Sequence, residues 1–359
     1  MRTALALAAR GLGVTWPNPS VGCILVRNGR VIARGSTQPG GRPHAEAVAL
    51  DRAGAAAQGA TAYVSLEPCS HQGETSPCAD ALIAADIACV VIATTDPNPS
   101  VDGAGIKKLE AAGIEVEVGL LGLEARKLNA GFFLNIEENR PLVTLKTATT
   151  LDGRIAVASG ASQWLTGPSA RRRAHLLRAQ NDAVMVGVGT AVADNPELTC
   201  RLAGLSDRSP VRIVVDSSMR LPLTHKIVAT AEATPTWIVT LDSGDAERKK
   251  AFRGCGVELL EVGPDSYGYP SIPVALEMIA KRKITRLLVE GGSRLAATFL
   301  RAKRVDRLAW FRAPSMIGGD GYPVALPFGV EDLPDMRKFR RERVVSLDDD
   351  VLETYIVSG

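Results

Sequence analysis

The chain has 359 residues and a mass of 37.9 kDa, more than one hydrophobic core usually covers, so two domains are expected. Apolar residues make up 46% and charged residues 23% of the sequence, which excludes disordered and fibrous classes. Residues 1–140 hold a small excess of acidic side chains, and the remainder holds a small excess of basic ones. A polymeric nucleic acid usually demands a basic face around the site, whereas small phosphorylated molecules demand much less.

The hydrophobic pattern and the sparse cysteines together favour a cytoplasmic protein. No apolar run approaches the roughly 20 residues that span a bilayer. The first 13 residues predict an amphipathic helix and not a signal peptide. Six cysteines are too sparse for a disulfide scaffold, and Cys23 and Cys89 lie inside apolar, strand-like runs. We therefore expect a cytoplasmic protein with reduced thiols and no membrane partner.

The first part of the chain alternates between strand and helix patterns. Residues 21–35 contain two apolar runs joined by Asn28-Gly29, the strongest short signal for a hairpin. The segments that follow are a helix at 44–54, a strand at 60–68, a helix at 77–85, a strand at 89–96, a helix at 105–113 and a strand at 114–119. This alternation predicts a three-layer α/β/α sandwich with a partly parallel sheet.

The second part starts again from an apolar strand at Pro141. Residues 123–140 predict a connecting helix and a linker, so we expect domains at 1–138 and 139–359. Strands are expected at 141–153, 182–190, 211–216, 236–240, 257–263, 286–292, 307–314 and 351–359, and helices at 167–180, 273–282 and 293–304. The pattern predicts a second α/β domain.

The stretch "LEPCSHQGETSPC" at 66–78 has three interpretations: a disulfide loop, part of a metal site, or a polar loop with two thiols. His44, Cys69 and Cys78 together offer one imidazole and two thiolates, which suit a zinc ion with an open fourth position. His44-Ala45-Glu46 matches the H-x-E half of the zinc-deaminase signature, although the cysteines are further apart than in P-C-x-x-C. Zinc would then activate a water molecule, and Glu46 would carry its proton to the departing amine. Viewed alone, H-x-E also fits a solvated helix face.

Several longer stretches resemble the bifunctional deaminase/reductase family of riboflavin biosynthesis. In the first part they are "TWPNPSVGCILV", "PHAEAVAL", "ATAYVSLEPCSHQGETSPCADALIAA" and "DPNPSVDGAGIKKLEAAGIEVEVGLL", and this family has the longer cysteine spacing. In the second part they are "LKTATTLDGRIA", "SGASQWLTG", "LLRAQNDAVMVGVGTAVADNPELTCR", "VVDSSMRLP" and "LLVEGGSRLAATFL". The resemblance implies a cytidine-deaminase-like domain followed by a dihydrofolate-reductase-like domain.

The resemblance also implies two consecutive reactions and two cofactors. Zinc would support removal of the 2-amino group of 2,5-diamino-6-ribosylamino-4(3H)-pyrimidinone 5′-phosphate. NADPH would then reduce 5-amino-6-(5-phosphoribosylamino)uracil to the ribitylamino product. There is no G-x-G-x-x-G motif after a strand, so a Rossmann site is unsupported. Gly291-Gly292 between a strand and a helix could instead hold the pyrophosphate, although an ordinary helix cap has the same pattern.

Carried over residue by residue, the resemblance implies two sets of contacts. The cofactor contacts are Thr149, Trp164, Thr190, Asp194, Ser217, Gly292, Ser293, Arg294, Leu295, Ala296, Ala297 and Thr298. The substrate contacts are Asn18, Lys146, Ser162, Arg178, Leu198, Arg201 and Glu290. His71 is not carried over from the family: it lies too close to Cys69 to be an easy zinc ligand, and it fits a loop residue or a substrate contact equally well. Arg178 and Arg201 would pair with the ribose phosphate. Lys146, with Asp194 or Glu290, would manage protons during hydride transfer.

Two other functions are weaker alternatives. A base deaminase acting on RNA is disfavoured because residues 1–140 are net acidic and a reductase-like domain follows. A zinc-stabilised binding protein is disfavoured because a structural zinc normally has four protein ligands, whereas Glu46 would stand beside an open position. We expect small phosphorylated pyrimidine substrates, no nucleic-acid partner and a homo-oligomer.

Overall fold

A computed structural model describes residues 1–71, 76–99 and 101–358, and it divides the chain into two units, Met1–Arg140 and Pro141–Gly359. Both units are α/β, as the alternation of strand and helix patterns predicts. Within these described ranges, no helix is both long enough and apolar enough to cross a bilayer.

The first unit contains a five-stranded sheet of order β2-β1-β3-β4-β5. Its elements are α1 (Arg2–Ala8), β1 (Gly22–Arg27), β2 (Arg30–Ser36), α2 (Ala45–Ala53), β3 (Thr61–Val64), α3 (Cys78–Ala84), β4 (Cys89–Ile92), α4 (Ala104–Ala111), β5 (Glu115–Val118), α5 (Gly122–Leu128) and α6 (Ala130–Glu138). Strands β3, β4 and β5 are parallel, and β1 is antiparallel to both of its neighbours. Asn28 and Gly29, both with positive φ, form the predicted hairpin turn between β1 and β2.

Two glycines show that helices cover both faces of this sheet. A Cβ at Gly22 would lie 2.0 Å from the carbonyl oxygen of Ala4 in α1, and a Cβ at Gly35 would lie 2.0 Å from that of Ala45 in α2. Gly35 pairs with Cys23, the neighbour of Gly22, so the two glycines face opposite sides of the pleated sheet. Helices α1 and α2 therefore pack on opposite faces, which confirms the three-layer prediction.

The second unit contains a nine-stranded sheet of order β11-β10-β9-β8-β12-β6-β13-β16-β15 and a small β14-β7 sheet. Its elements are β6 (Leu142–Thr149), β7 (Arg154–Ala156), α7 (Pro168–Ala179), β8 (Ala183–Gly187), α8 (Val188–Asp194), β9 (Val211–Val215), α9 (Lys226–Ala229), β10 (Thr236–Leu241), α10 (Ala246–Gly254), β11 (Glu258–Val262), α11 (Ile272–Lys281), β12 (Arg286–Val289), α12 (Ser293–Arg301), β13 (Arg307–Arg312), β14 (Tyr322–Pro323), β15 (Phe339–Leu347) and β16 (Asp350–Val357). The strands from β11 to β13 are parallel, and β16 and β15 add antiparallel pairs at one edge.

Helices α9 and α10 and strands β7, β14 and β15 were not expected from the sequence, and two expected elements differ from the structure. The expected strand at 182–190 ends at Gly187, and α8 begins at Val188, because Val, Gly and Ala suit a buried strand and a buried helix equally well. The single helix expected within 123–140 is two helices, α5 and α6, separated at Asn129. The Asn129 side chain exchanges hydrogen bonds with the backbone of Ser20, 109 residues away, and sequence periodicity cannot show such a contact.

The parallel strands β9, β8 and β12 are neighbours in the sheet, and their carboxyl ends meet at one edge. Ligands of open α/β sheets bind outside such ends. The segments that follow these strands begin at Asp216, Val188 and Glu290, and they contain most of the residues expected to contact a cofactor.

Candidate active sites

The starts of two helices bring together the residues of the first site. His44 is the N-cap of α2, and Glu46 lies in the first turn of that helix. Helix α3 begins at Cys78, directly after Pro77, as the sequence predicts. Cys69 belongs to the segment that leaves β3, and its carbonyl oxygen accepts a hydrogen bond from Ala79.

The three expected zinc ligands form a triangle with the dimensions of a tetrahedral site. The Nδ1 atom of His44 lies 3.6 Å from the Sγ of Cys69 and 3.4 Å from the Sγ of Cys78. Zinc–sulfur bonds of about 2.3 Å and zinc–nitrogen bonds of about 2.0 Å at tetrahedral angles place N and S about 3.5 Å apart. The donor set therefore fits zinc and leaves a fourth position open. All six cysteines of the chain are free thiols, so the disulfide interpretation of this stretch is wrong.

Hydrogen bonding prepares one of the two sulfurs as a thiolate. The thiol of Cys78 lowers the pKa of Cys69 to about 4, and the same bond raises the pKa of Cys78. The backbone N–H of Cys78, in the first turn of α3, also donates to the Sγ of Cys69 over 3.3 Å. A thiolate at Cys69 favours the binding of a metal cation at this site.

Glu46 lies against the sulfurs and is almost completely buried, with 3% of its surface exposed. Burial raises the pKa of Glu46 to about 7, and a hydrogen bond from Cys78 opposes that rise. A carboxyl group that titrates near neutral pH can both accept and release a proton.

Three further polar residues surround this site. Asn18 donates from its side chain to the carbonyl of Gly41 over 3.0 Å, which holds it beside the segment that leads to His44. His71 is exposed two residues after Cys69, and residues 72–75, in the middle of the loop between Cys69 and Cys78, lie outside the described residues. Asp96 was missed by the sequence reasoning. Burial raises its pKa to about 6, and the charges of His71 and Cys69 act on it.

A second missed residue, Glu67, organises the backbone around Asp96. Its buried carboxylate accepts four backbone hydrogen bonds of 3.0–3.3 Å, from Asp96, Gly103, Gly105 and Ile106. Glu67 immediately precedes Pro68-Cys69, so a single side chain connects the ligand segment to the segment that carries Asp96. Each of these donors is a main-chain N–H about 29 to 39 residues from Glu67 in the sequence, so no local sequence pattern predicts the contact.

In the second unit, a cavity of about 680 Å³ lies over the carboxyl ends of β9, β8 and β12. Its volume falls in the usual range for cofactor sites, roughly 300–1,000 Å³. At its floor Gly292 approaches Thr190, and a Cβ at Gly292 would lie 3.6 Å from that hydroxyl. Helix α12 begins at Ser293 and directs bare N–H groups at this space, as an anion requires.

The cavity brings together seven of the twelve expected cofactor residues. They are Thr190, Ser217, Gly292, Ser293, Arg294, Leu295 and Thr298. Ala296 and Ala297 are buried on α12, and Asp194 accepts a hydrogen bond from the side chain of Gln163. Thr149 lines a different cavity, where its hydroxyl accepts from the indole N–H of Trp310. Trp164 is 68% exposed, with the guanidinium of Arg171 over its ring.

Comparison with known proteins decides the family. Residues 141–352 match the family described as RibD C-terminal domain, and residues 1–94 match the cytidine and deoxycytidylate deaminase zinc-binding region. The riboflavin biosynthesis proteins RibD of Aquifex aeolicus and Escherichia coli are each 41% identical to the chain, over 98% of it and 96% of their own length. The chain belongs to the RibD family.

Solved RibD structures share the whole architecture. RibD of Acinetobacter baumannii superposes with a TM-score of 0.90 at 38% identity, covering 100% of this chain and 98% of the other. A deaminase/reductase from Thermotoga maritima gives a TM-score of 0.86 at 35% identity, with coverages of 100% and 97%. As a RibD protein, the chain is a bifunctional deaminase and reductase of riboflavin biosynthesis that uses zinc and NADPH, and the predicted fold class is confirmed.

In the RibD reductase unit, three of the expected substrate residues form one buried cluster. The guanidinium of Arg178 donates to both carboxylate oxygens of Glu290 over 2.7 and 3.0 Å, and to the carbonyl of Thr199 over 3.1 Å. The Nζ of Lys146 lies 3.6 Å from Glu290. Burial alone would raise the pKa of Glu290, but the charges of Arg178 and Lys146 hold it at about 2.

The remaining expected substrate residues differ in accessibility. Arg201 is 54% exposed and has a long, 3.5 Å contact with Glu197, whereas Leu198 is buried with a positive φ. Ser162 is half-buried in the loop before α7. His175 of α7 was missed, although its Nδ1 accepts from the backbone N–H of Arg201 over 3.3 Å. Burial and the nearby charges of Arg178 and Arg201 lower its pKa.

Proposed function

We propose that residues 1–138 deaminate 2,5-diamino-6-ribosylamino-4(3H)-pyrimidinone 5′-phosphate, and that residues 139–359 reduce 5-amino-6-(5-phosphoribosylamino)uracil to the ribitylamino product. The observation that carries the proposal is the triangle of His44, Cys69 and Cys78 with Glu46 buried against it. The RibD membership of the chain and the cofactor cavity of its second unit support the second step.

In the deamination, the chain holds a metal and moves one proton. His44, Cys69 and Cys78 would hold zinc, which as a Lewis acid would lower the pKa of a water molecule so that, once deprotonated, it could attack the ring carbon bearing the amino group. Glu46, with a pKa of about 7, accepts the proton of that water and delivers it to the leaving amine. Overall, the aminopyrimidine substrate and one water molecule are converted to the oxopyrimidine product and one molecule of ammonia. Asn18, His71 and Asp96 are placed to orient the pyrimidine.

In the reduction, the cavity over β9, β8 and β12 positions the cofactor. When bound there, NADPH would supply the hydride that reduces the carbonyl carbon of the opened ribose. We assign the compensating proton to the ammonium group of Lys146, which Glu290 orients from 3.6 Å. Glu290 is a better partner for Lys146 than Asp194, because it lies within ion-pair distance of Lys146, whereas the side chain of Asp194 contacts Gln163.

The finer predictions about partners follow from this chemistry. Small phosphorylated pyrimidines are the proposed substrates, with Arg201 as the accessible cation for the ribose phosphate. Six free thiols agree with the proposed cytoplasmic location. Homo-oligomer formation stays a prediction, and sedimentation velocity checks it.

The test is a two-stage assay with the purified, zinc-loaded chain. Without NADPH, the diaminopyrimidine nucleotide should release one equivalent of ammonia. Addition of NADPH should then consume one equivalent of the cofactor and give the ribitylamino product. Ammonia release from an RNA substrate without turnover of the nucleotide would instead support a base deaminase.

A further inference from the structure

Helix α7 carries an imidazole that no step of the two reactions above uses. His175 is half-buried and lies three residues before Arg178, so both side chains leave the same face of the helix. Its Nδ1 accepts a hydrogen bond from the backbone N–H of Arg201 over 3.3 Å. We propose that His175 is a positioning residue of the reductase, which fixes the main chain of Arg201 so that its guanidinium meets the substrate phosphate. The inference rests on the proposed reductase function and deepens it by assigning a residue that acts through Arg201.

Side chains of neighbouring elements hold the segment that contains Arg201. Residues 195–201 follow α8 and belong to no helix or strand of the described structure. Arg178 donates to the carbonyl of Thr199 over 3.1 Å, and the backbone N–H of Cys200 donates to the hydroxyl of Ser209 over 3.1 Å. The bond to the imidazole fixes the next residue of the chain. Three consecutive residues are therefore tied through main-chain groups, two of them to α7.

Arg201 combines a fixed main chain with a mobile side chain. Cys200, immediately before it, is buried with 2% of its surface exposed. The side chain of Arg201 is 54% exposed, and its contact with Glu197 is long, at 3.5 Å. A surface ion pair of this kind constrains a guanidinium little. The bond to His175 therefore sets the direction in which the side chain leaves the backbone, and a bound phosphate has only the side chain left to order.

The bond to Arg201 requires a neutral imidazole with its proton on Nε2, because a protonated Nδ1 cannot accept a hydrogen bond. Burial is the largest cause that lowers the pKa of His175, and the charges of Arg178 and Arg201 act in the same direction. The charge of Glu290 and the carbonyl of Thr199 oppose them. The pKa lies below its ordinary value, so the imidazole is an acceptor at neutral pH.

A neutral acceptor suits this position better than a third cation. Arg178 is already paired with Glu290, and Arg201 is the accessible cation for a phosphate. An imidazolium beside two guanidinium groups would be repelled by both of them. His175 therefore acts on the phosphate through the geometry of Arg201 and not through a charge of its own.

The experiment measures steady-state NADPH oxidation by the zinc-loaded full chain, with 5-amino-6-(5-phosphoribosylamino)uracil as the substrate. His175→Leu keeps a similar volume and removes the acceptor, whereas His175→Asn offers an oxygen acceptor near the place of Nδ1. His175→Leu should raise the KM about threefold to tenfold, the range for one hydrogen bond, with kcat within about twofold of wild type. His175→Asn should return the KM to about the wild-type value. With the dephosphorylated analogue, all three proteins should have the same KM.

A double-mutant cycle separates positioning from direct contact with the phosphate. Added to Arg201→Gln, His175→Leu should raise the KM by less than about a further twofold, because the guanidinium that it positions is already gone. Hydrogen exchange at the Arg201 amide should accelerate in His175→Leu and return to wild-type protection in His175→Asn. Arg172→Ala, on the exposed face of the same helix, is the matched control and should have wild-type kinetics. If the leucine variant does not fold, His175→Ala gives the same comparisons.

Three results would overturn the proposal. A full multiplicative rise of the KM in the double variant would make His175 a direct ligand of the phosphate. An equal rise for the dephosphorylated analogue would assign the imidazole to another part of the substrate, and a wild-type KM in His175→Leu would leave it without a role. Failure of the wild-type chain to oxidise NADPH with the phosphorylated intermediate would instead overturn the reductase function on which the inference rests.

Discussion

Arg178 and Glu290, 112 residues apart in the chain, form a two-point ion pair in the second unit with side chains only 14% and 8% exposed. The guanidinium is a donor to Glu290 and to the carbonyl of Thr199 at the same time. A pair of this kind fixes the carboxylate that faces Lys146, and it leaves Arg201 as the more accessible cation for a phosphate.

Removal of the carboxylate charge should destabilise the protein strongly. Glu290→Gln leaves the guanidinium of Arg178 buried without its counter-charge, and loss of one partner of a buried pair costs about 3–5 kcal/mol of unfolding free energy. Urea unfolding measures it. Glu258→Gln is the matched control, since Glu258 pairs with Arg282 at the surface and should cost less than about 1 kcal/mol. Similar losses for both variants would contradict the burial argument.

The same pair predicts how stability depends on pH. The folded-state pKa of Glu290, about 2, lies below its ordinary value of 4.5. Its stabilisation is therefore complete above about pH 5 and decreases as the pH falls from there toward 2. The difference in unfolding free energy between wild type and Glu290→Gln should shrink over this window. A difference that stays constant from pH 7 to pH 3 would refute the charge pairing.

Arg201 should contribute to the binding of the phosphate group of the reductase substrate and little to the stability of the fold. Arg201→Gln should raise the KM for the phosphorylated intermediate about tenfold, because one charged contact is lost. The unfolding free energy should stay within about 0.5 kcal/mol of wild type, since the side chain is exposed. The dephosphorylated analogue is the control, and its KM should be the same for both proteins. An equal rise for both substrates would assign Arg201 to another role.

Glu67 should control the order of the segment that carries Asp96. In Glu67→Gln the amide can no longer accept all four backbone hydrogen bonds, and each buried donor left unsatisfied costs about 1–3 kcal/mol. Hydrogen exchange should accelerate at the amides of Asp96, Gly103, Gly105 and Ile106, with zinc content unchanged. Glu110→Gln, on the exposed face of α4, should leave these amides protected. Unchanged protection in Glu67→Gln would show that other contacts order the segment.

How much of this could be predicted from the sequence depends on the range of the interactions. Asn28-Gly29 and the starts of α2 and α3 are set by local backbone preferences, so the hairpin and the positions of His44 and Cys78 could be predicted. The bonds of Glu67 to distant amides and the Arg178–Glu290 pair depend on the assembled fold, and no local pattern contains them.

Glu46 offers the most direct test of the proton-transfer mechanism. Glu46→Gln keeps the size of the side chain and removes its ability to accept a proton, whereas Asp51→Asn on the exposed end of α2 is the matched control. Zinc content and the thermal unfolding midpoint establish first that each variant retains the site and the fold.

Ammonia release and NADPH oxidation are then measured separately on both variants, the second with the deaminated intermediate supplied. For Glu46→Gln we expect ammonia release to fall at least about a hundredfold, while NADPH oxidation, zinc content and both activities of Asp51→Asn remain at the wild-type level. Ammonia release by Glu46→Gln at the wild-type rate would contradict the account.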